Sequence, residues 1–127
     1  MAKYKRGDIV LVPFPFLTAQ DIKRKLRPAL VISNHLIPKR YDDLILLAIT
    51  SKIHKPFFET EILVDLSSPA FARTGLAVSS LIKCDMILTL PEDMVVKKIG
   101  ELATDLMKRV EYAILKGLGI KKIESRA

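Results

Sequence analysis

The sequence predicts a mainly β fold of the α+β kind, a small and strongly bent antiparallel sheet or barrel with one C-terminal helix packed on it. Two observations carry this expectation. As far as residue 102 the apolar residues fall into short runs, separated by proline, glycine and polar clusters, whereas beyond residue 104 they recur at helical spacing. A chain of 127 residues, half of them hydrophobic, is also the size of one domain with a real core, so a single domain over residues 1–127 is expected.

Taken in order, Gly7 opens a strand over residues 8–12, and Pro13-Phe14-Pro15-Phe16 is expected to end it, because neither proline can donate to a ladder. Phe14 and Phe16 share a parity and either form a lip over the core or plug one end of the barrel. Residues 17–26 read as a long polar connection, of the length common in binding loops. Residues 29–32, Ala-Leu-Val-Ile, read as a buried strand, and residues 34–41 as a loop or short helical turn. Leu44-Ile45-Leu46-Leu47-Ala48-Ile49 is apolar on both parities, the mark of a central strand covered on both sides. Residues 61–66 alternate, with Ile62, Val64 and Leu66 inward, and residues 71–75 read as a turn. Residues 78–86 form a further strand with Ser79, Leu81, Lys83 and Asp85 on one face and Val78, Ser80, Ile82, Cys84 and Met86 on the other. Pro91-Glu92-Asp93 is a helix-start signal, and a short strand is expected within residues 95–102. Leu106, Met107, Val110, Ala113, Ile114 and Leu118 make one helical stripe, with Thr104 as the expected N-cap and Gly117 or Gly119 as the stop.

Charge narrows the function classes. The formal net charge of +7 points to a polyanionic partner. With five Phe, three Tyr and no Trp, the chain is a poor candidate for a single-strand binder built on stacking platforms. No apolar run reaches membrane-spanning length, and the N-terminus lacks the apolar stretch of a signal peptide, so no membrane partner and a cytoplasmic location are expected. Cys84 is the sole cysteine, which excludes an internal disulfide. His35 and His54 are far apart, and no zinc or phosphate-loop pattern is present, so neither a metal nor another cofactor is expected. Cys84 has the parity opposite to Lys83 and Asp85 and reads as a buried, inert thiol.

The chemistry-bearing residues cluster at strand ends. Lys23, Arg24 and Lys25 lead into Arg27, and Pro28 pushes Arg27 toward extended geometry, which places its guanidinium fork at a strand mouth. Either it caps the strand in a surface ion pair or it meets phosphate. Thr50, Ser51, Lys52 and His54 follow the central strand, and Lys83 and Asp85 share a face of the later one. Arginine and lysine stabilise charge developing on a phosphoryl group, and aspartate can take the proton of a ribose 2′-hydroxyl. RNA brings its own nucleophile, so this set needs neither a serine triad nor a metal. The simpler reading of Asp85 is a salt bridge with Lys83 or Arg27, and that of Thr50 is a hydroxyl bonded to backbone.

Gly7-Asp8-Ile9-Val10-Leu11-Val12-Pro13-Phe14, then Arg27-Pro28-Ala29-Leu30-Val31-Ile32-Ser33, then Ile49-Thr50-Ser51, resembles the MazF/PemK toxin family over nearly the whole chain. The similarity continues through Lys83-Cys84-Asp85, Lys98-Ile99-Gly100-Glu101-Leu102 and the C-terminal helix. The resemblance implies an SH3-like small barrel of the CcdB/PemK kind and a type II toxin that cleaves single-stranded mRNA sequence-specifically without a metal. It implies a homodimer with RNA in a groove, a cognate antitoxin, and operator DNA met only through the antitoxin complex. It assigns Arg27, Thr50, Asp85 and Lys83 to catalysis, Arg27 as acid or electrostatic stabiliser and Asp85 as base, with Lys83 standing where one branch has an arginine. Lys23, Arg24, Lys25, Ser51, Lys52 and His54 are the expected RNA contacts. Met86-Ile87-Leu88-Thr89 stands where many members carry an arginine. Two rival readings are a gyrase poison like CcdB and a catalytically inactive nucleic-acid-binding module. The basic C-terminal residues 121–127 lack the exposed aromatic and apolar residues a gyrase poison uses.

Overall fold

The computed structural model describes residues 3–17 and 22–121, with the backbone alone for residues 15–17 and 22–24. Six strands form one antiparallel sheet: β1 (Asp8–Leu17), β2 (Ile22–Val31), β3 (Asp43–Thr50), β4 (Glu61–Val64), β5 (Ser80–Pro91) and β6 (Lys97–Glu101). Their spatial order is β4-β5-β3-β2-β1-β6, and the sheet curls into a half-barrel. A one-turn helix, α1 (Phe71–Thr74), joins β4 to β5, a 3-10 turn over Glu92–Met94 joins β5 to β6, and α2 (Thr104–Leu118) follows β6.

The strands bury both faces. On the convex side Ile9, Leu30, Leu47, Ile49, Ile62, Ile82 and Cys84 meet Met107, Val110 and Ala113 of α2. On the concave side Val10, Val12, Phe14, Ala29, Val31, Leu44, Leu46, Ala48 and Leu90 close a second core. β3 lies between β5 and β2 and contributes alternate residues to each layer, as its two-sided apolar run predicts. Phe14 belongs to the concave core, while the side chain of Phe16 lies outside the described residues.

β1 does not end at its prolines but runs through both of them to Leu17. The register explains why. Leu11 stands opposite Pro28, Pro13 opposite Leu26 and Pro15 opposite Arg24. The Leu11 carbonyl instead accepts the Val96 N–H at 2.9 Å, so these alternate residues turn their backbone groups away from β2. Beyond Leu11 no β6 pairing remains, so among the described residues Pro13 and Pro15 lack donors only on an unpaired edge, where proline is tolerated. The expected polar connection over residues 17–26 is therefore the end of β1 at Leu17 and β2 from Ile22 onward, and residues 18–21 lie outside the described residues.

Other expectations hold or need adjustment. Residues 71–75 form the helical turn α1, closed by Gly75, and the strand expected within residues 95–102 is β6. The strand expected over residues 78–86 begins at Ser80 and continues to Pro91. The helix-start signal at Pro91 yields the single 3-10 turn. α2 starts one residue earlier than expected, with Ala103 as N-cap and no side-chain cap, so Thr104 is its first residue. Gly119 ends the helix in the left-handed conformation, and Leu118 is the one member of the predicted stripe left exposed.

Candidate active site

The site begins where β2 and β3 part. Their pairing runs Val31↔Leu46, Leu30↔Leu47, Ala29↔Ala48 and goes no further. The Ile32 N–H donates to the Ile45 carbonyl at 2.9 Å, so alternation makes residue 28 the next on β2 to face β3 with its N–H after Leu30. Residue 28 is proline and has no N–H to give. The two strands splay, and the next same-face positions, Arg27 and Thr50, flank the opening. Arg27 shares the concave parity of Ala29 and Val31 and stands opposite Val12 on β1, which places a half-buried guanidinium beside apolar neighbours on a rigid strand.

Two cavities meet at this opening. The smaller, of about 250 Å³, is lined by Phe14, Arg27, Thr50, Lys52, His54, Lys83 and Met86. The larger, of about 550 Å³, shares Arg27, Thr50 and Lys52 and adds Lys25, Ser51, Leu76, Val78, Ser80 and Lys97. Cations recur along both walls. The Thr50 hydroxyl oxygen accepts the Lys52 N–H at 3.1 Å, the backbone bond foreseen for it. That bond orients the hydroxyl and leaves its own hydrogen free to donate.

Lys83 reaches the smaller cavity from β5, where it stands opposite Ala48 on one side and Glu61 on the other. Its ammonium meets Glu61 Oε2 at 2.6 Å. This bond, followed by the Phe58 N–H on the same carboxylate, holds Glu61 below its ordinary pKa. Asp85 does not join Lys83. The β3–β5 register jumps from Ala48↔Lys83 to Leu47↔Ile87, so residues 84–86 form a bulge. After it, Met86 lines the smaller cavity in the place that strict alternation gives to Asp85. The Asp85 Cβ lies beside Gly117 of α2, on the convex side, and Asp85 lines neither cavity. The common face predicted for Lys83 and Asp85 is thus corrected by an inserted bulge that period-two reading cannot see.

The remaining sequence candidates divide clearly. Lys25, Ser51, Lys52 and His54 line the cavities. Lys23 and Arg24 lie on β2, with side chains outside the described residues. Cys84 is fully buried in the convex core, and burial pushes its thiol up to about 12, with the Asp85 charge a smaller cause. His35 accepts the Arg6 N–H at 3.0 Å, and Arg6 also bonds the Ile32 carbonyl and Glu111, at 2.7 Å for the latter. Lys97, Glu61 and Met86 escaped the sequence reading. Lys97 arrives through its pairing with Leu11, a contact between distant segments, and the only sequence hint was its place in a short basic strand.

The family described as PemK-like, MazF-like toxin of type II toxin-antitoxin system matches residues 5–118. Endoribonuclease MazF of Staphylococcus saprophyticus is 28% identical over 121 residues, which cover 95% of this chain and 96% of that protein. Among solved structures, an endoribonuclease from Mycobacterial species superposes with a TM-score of 0.72 at 19% identity, covering 97% of this chain and 98% of that one. An endoribonuclease in complex with its cognate antitoxin, also from Mycobacterial species, gives 0.69 at 19% identity, covering 94% and 99%. The half-barrel with its C-terminal helix accords with that likeness in fold, and the match over residues 5–118 shows that the chain belongs to the PemK-like, MazF-like toxins of type II toxin–antitoxin systems.

Proposed function

We propose that this protein cleaves single-stranded RNA at the β2–β3 opening, by attack of the ribose 2′-hydroxyl on the adjacent phosphate. The observation that carries the proposal is the convergence of Arg27, Thr50 and Lys83 on one cavity, with Lys52 and His54 in its wall. Arg27 offers a planar fork of donors to the phosphate oxygens, and as a permanently charged group it stabilises the phosphorane rather than donating a proton. Thr50 donates its oriented hydroxyl to the same phosphate or to the 2′-oxygen. Lys83 adds a second cation. His54 is the group in the cavity that can accept the 2′-hydroxyl proton as a neutral imidazole. The 2′-oxygen bonds to phosphorus, the bond to the 5′-oxygen breaks, and that oxygen takes a proton from solvent. The products are a 2′,3′-cyclic phosphate and a 5′-hydroxyl. The larger cavity, with Lys25, Ser51 and Lys97, receives the adjoining nucleotide, its lysines meeting phosphate.

The base role expected of Asp85 has weaker support, since Asp85 lies against α2 rather than in either cavity. Family membership supports a cognate antitoxin as protein partner, a cytoplasmic site of action on messenger RNA, and contact with operator DNA only through the antitoxin complex. No helix among the described residues is long and apolar enough to cross a membrane. A homodimer is supported by apolar side chains left exposed on the sheet and α2, among them Ile45, Ile87, Tyr112 and Leu118. The deciding experiment incubates the purified protein with long synthetic RNA in EDTA and maps the ends. Cyclic phosphate ends are the expected result, and intact RNA across varied sequences overturns the proposal.

A further inference from the structure

Lys83 does not sit loosely in its cavity. Glu61, directly opposite it at the start of the edge strand β4, receives its ammonium at 2.6 Å on Oε2. The other oxygen, Oε1, accepts the Phe58 N–H at 3.0 Å, and the Glu61 N–H donates to the Phe58 carbonyl at 3.0 Å. The carboxylate is therefore fixed by the turn that carries it before it meets the lysine. Its side chain is 9% exposed, and that of Lys83 is 25% exposed. Glu61 itself lines a separate cavity with Leu63 and Asp65 and is not among the residues lining the cavity that holds Lys83, so it meets that cavity through the lysine.

We infer that Glu61 is a positioning residue, which fixes the Lys83 ammonium beside Arg27 and Thr50 and offsets part of its charge. The inference rests on the RNA-cleaving reading of that cavity. A lysine on four rotatable bonds gives up side-chain entropy when it is held in one geometry. Glu61 exacts that cost in the fold, before RNA arrives. One of three ammonium hydrogens goes to the carboxylate, and two remain for phosphate oxygens. Partial neutralisation lessens the attraction for the singly charged phosphate of bound RNA. The phosphorane carries more negative charge, so a fixed cation contributes more in the transition state than in the ground state. Glu61 acts in this way through Lys83 and does not touch the reacting atoms.

The test uses Glu61→Gln, Glu61→Asp, Lys83→Met and the Glu61→Gln/Lys83→Met double variant. Three quantities are read: the single-turnover rate at saturating RNA, the Kd for an uncleavable 2′-O-methyl RNA, and acetylation of Lys83 by an amine reagent, followed by mass spectrometry. In Glu61→Gln the rate should fall on the order of tenfold to a hundredfold. The Kd should stay equal or become lower, and acetylation of Lys83 should rise severalfold. In the Lys83→Met background the same change should cost nothing further. A role confined to clipping β4 onto β5 would weaken rate and binding together and would persist without Lys83. Either that pattern or an unchanged rate in Glu61→Gln overturns the inference. Glu61→Asp, which keeps the charge but shortens the reach, stands in if Glu61→Gln melts too low to assay; full activity in it also overturns the inference. If the wild-type protein cuts no RNA, the RNA reading fails by itself. Acetylation of Lys83 that does not change between wild type and Glu61→Gln then overturns the anchoring separately.

Discussion

Arg27 and Thr50 flank the point at which β2 stops pairing with β3, one same-face step beyond Ala29↔Ala48. The separation traces to Pro28, the residue between Arg27 and the last paired position, which has no N–H for the ladder. One proline thus orients the arginine before it and opens the cleft into which that arginine points.

Arg27→Ala should lower the RNA cleavage rate by about a hundredfold to a thousandfold, the loss of a preorganised donor to a developing oxyanion. Lys25→Ala in the larger cavity should leave the saturated rate unchanged. It should reduce the slope of log affinity against log salt by about 0.7, the contribution of one phosphate contact to a single strand. Equal rate losses from the two variants would mean that the arginine and the lysine have been given the wrong roles.

Three variants separate the candidates for proton transfer. His54→Gln should slow single-turnover cleavage by about a hundredfold or more while RNA affinity is kept. Thr50→Val should slow it as well, through the lost hydroxyl. Asp85→Asn should stay within about threefold of wild type, because Asp85 lines neither cavity. A large loss in Asp85→Asn with normal His54→Gln would restore the aspartate as base.

Two glycines lock α1 against β6 and shape the larger cavity. Gly75 has φ 74°, and a Cβ there would land on the Ile99 carbonyl, while a Cβ on Gly100 would land on the backbone of Arg73 and Thr74. Gly75→Ala and Gly100→Ala should each destabilise the protein by about 3 kcal/mol or more in urea unfolding, since backbone cannot yield as a flexible side chain does. Near-normal midpoints for both would show that the α1–β6 contact is looser than described.

Acid should weaken the fold partly through Glu61. Its pKa in the folded chain is lowered from 4.5, chiefly by the Lys83 hydrogen bond, with the Phe58 N–H and the His54 charge acting in the same direction. Unfolding therefore takes up a proton in the window between the two values. The carboxylate's contribution is complete above about pH 4.5 and is lost as pH falls through the lowered folded value. Thermal melts of Glu61→Gln should show a shallower decline than wild type across that window. Parallel declines would mean that the pair contributes nothing to acid stability.

The local patterns of the sequence were sufficient for the element types. The two-sided apolar run of β3, the inward Ile62 and Val64 of β4 and all of the α2 stripe but Leu118 each report burial within a few neighbouring residues and are met in the fold, whereas Leu66, expected inward with them, lies beyond the end of β4 and is exposed. The same holds for Arg27, whose placement depends on the residue next to it, and for Cys84, whose parity already marked it as a buried thiol. What depends on pairing partners was not legible. Pro13 and Pro15 read as strand breakers until β6 is known to stop short of them, because a missing N–H costs nothing on a free edge. Asp85 reads as the neighbour of Lys83 until the β3 register shows residues 84–86 bulging, which puts Met86 at the smaller cavity and the Asp85 Cβ beside Gly117. Glu61 and Lys97 join the site only because β4 and β6 lie beside strands remote in sequence. Residue type and period, by themselves, determined which segments become strands and which faces they bury, since those choices are made by hydrophobic burial one element at a time. Register, bulge and edge are properties of two strands at once, so the tertiary structure alone decided which charged side chains share a cavity.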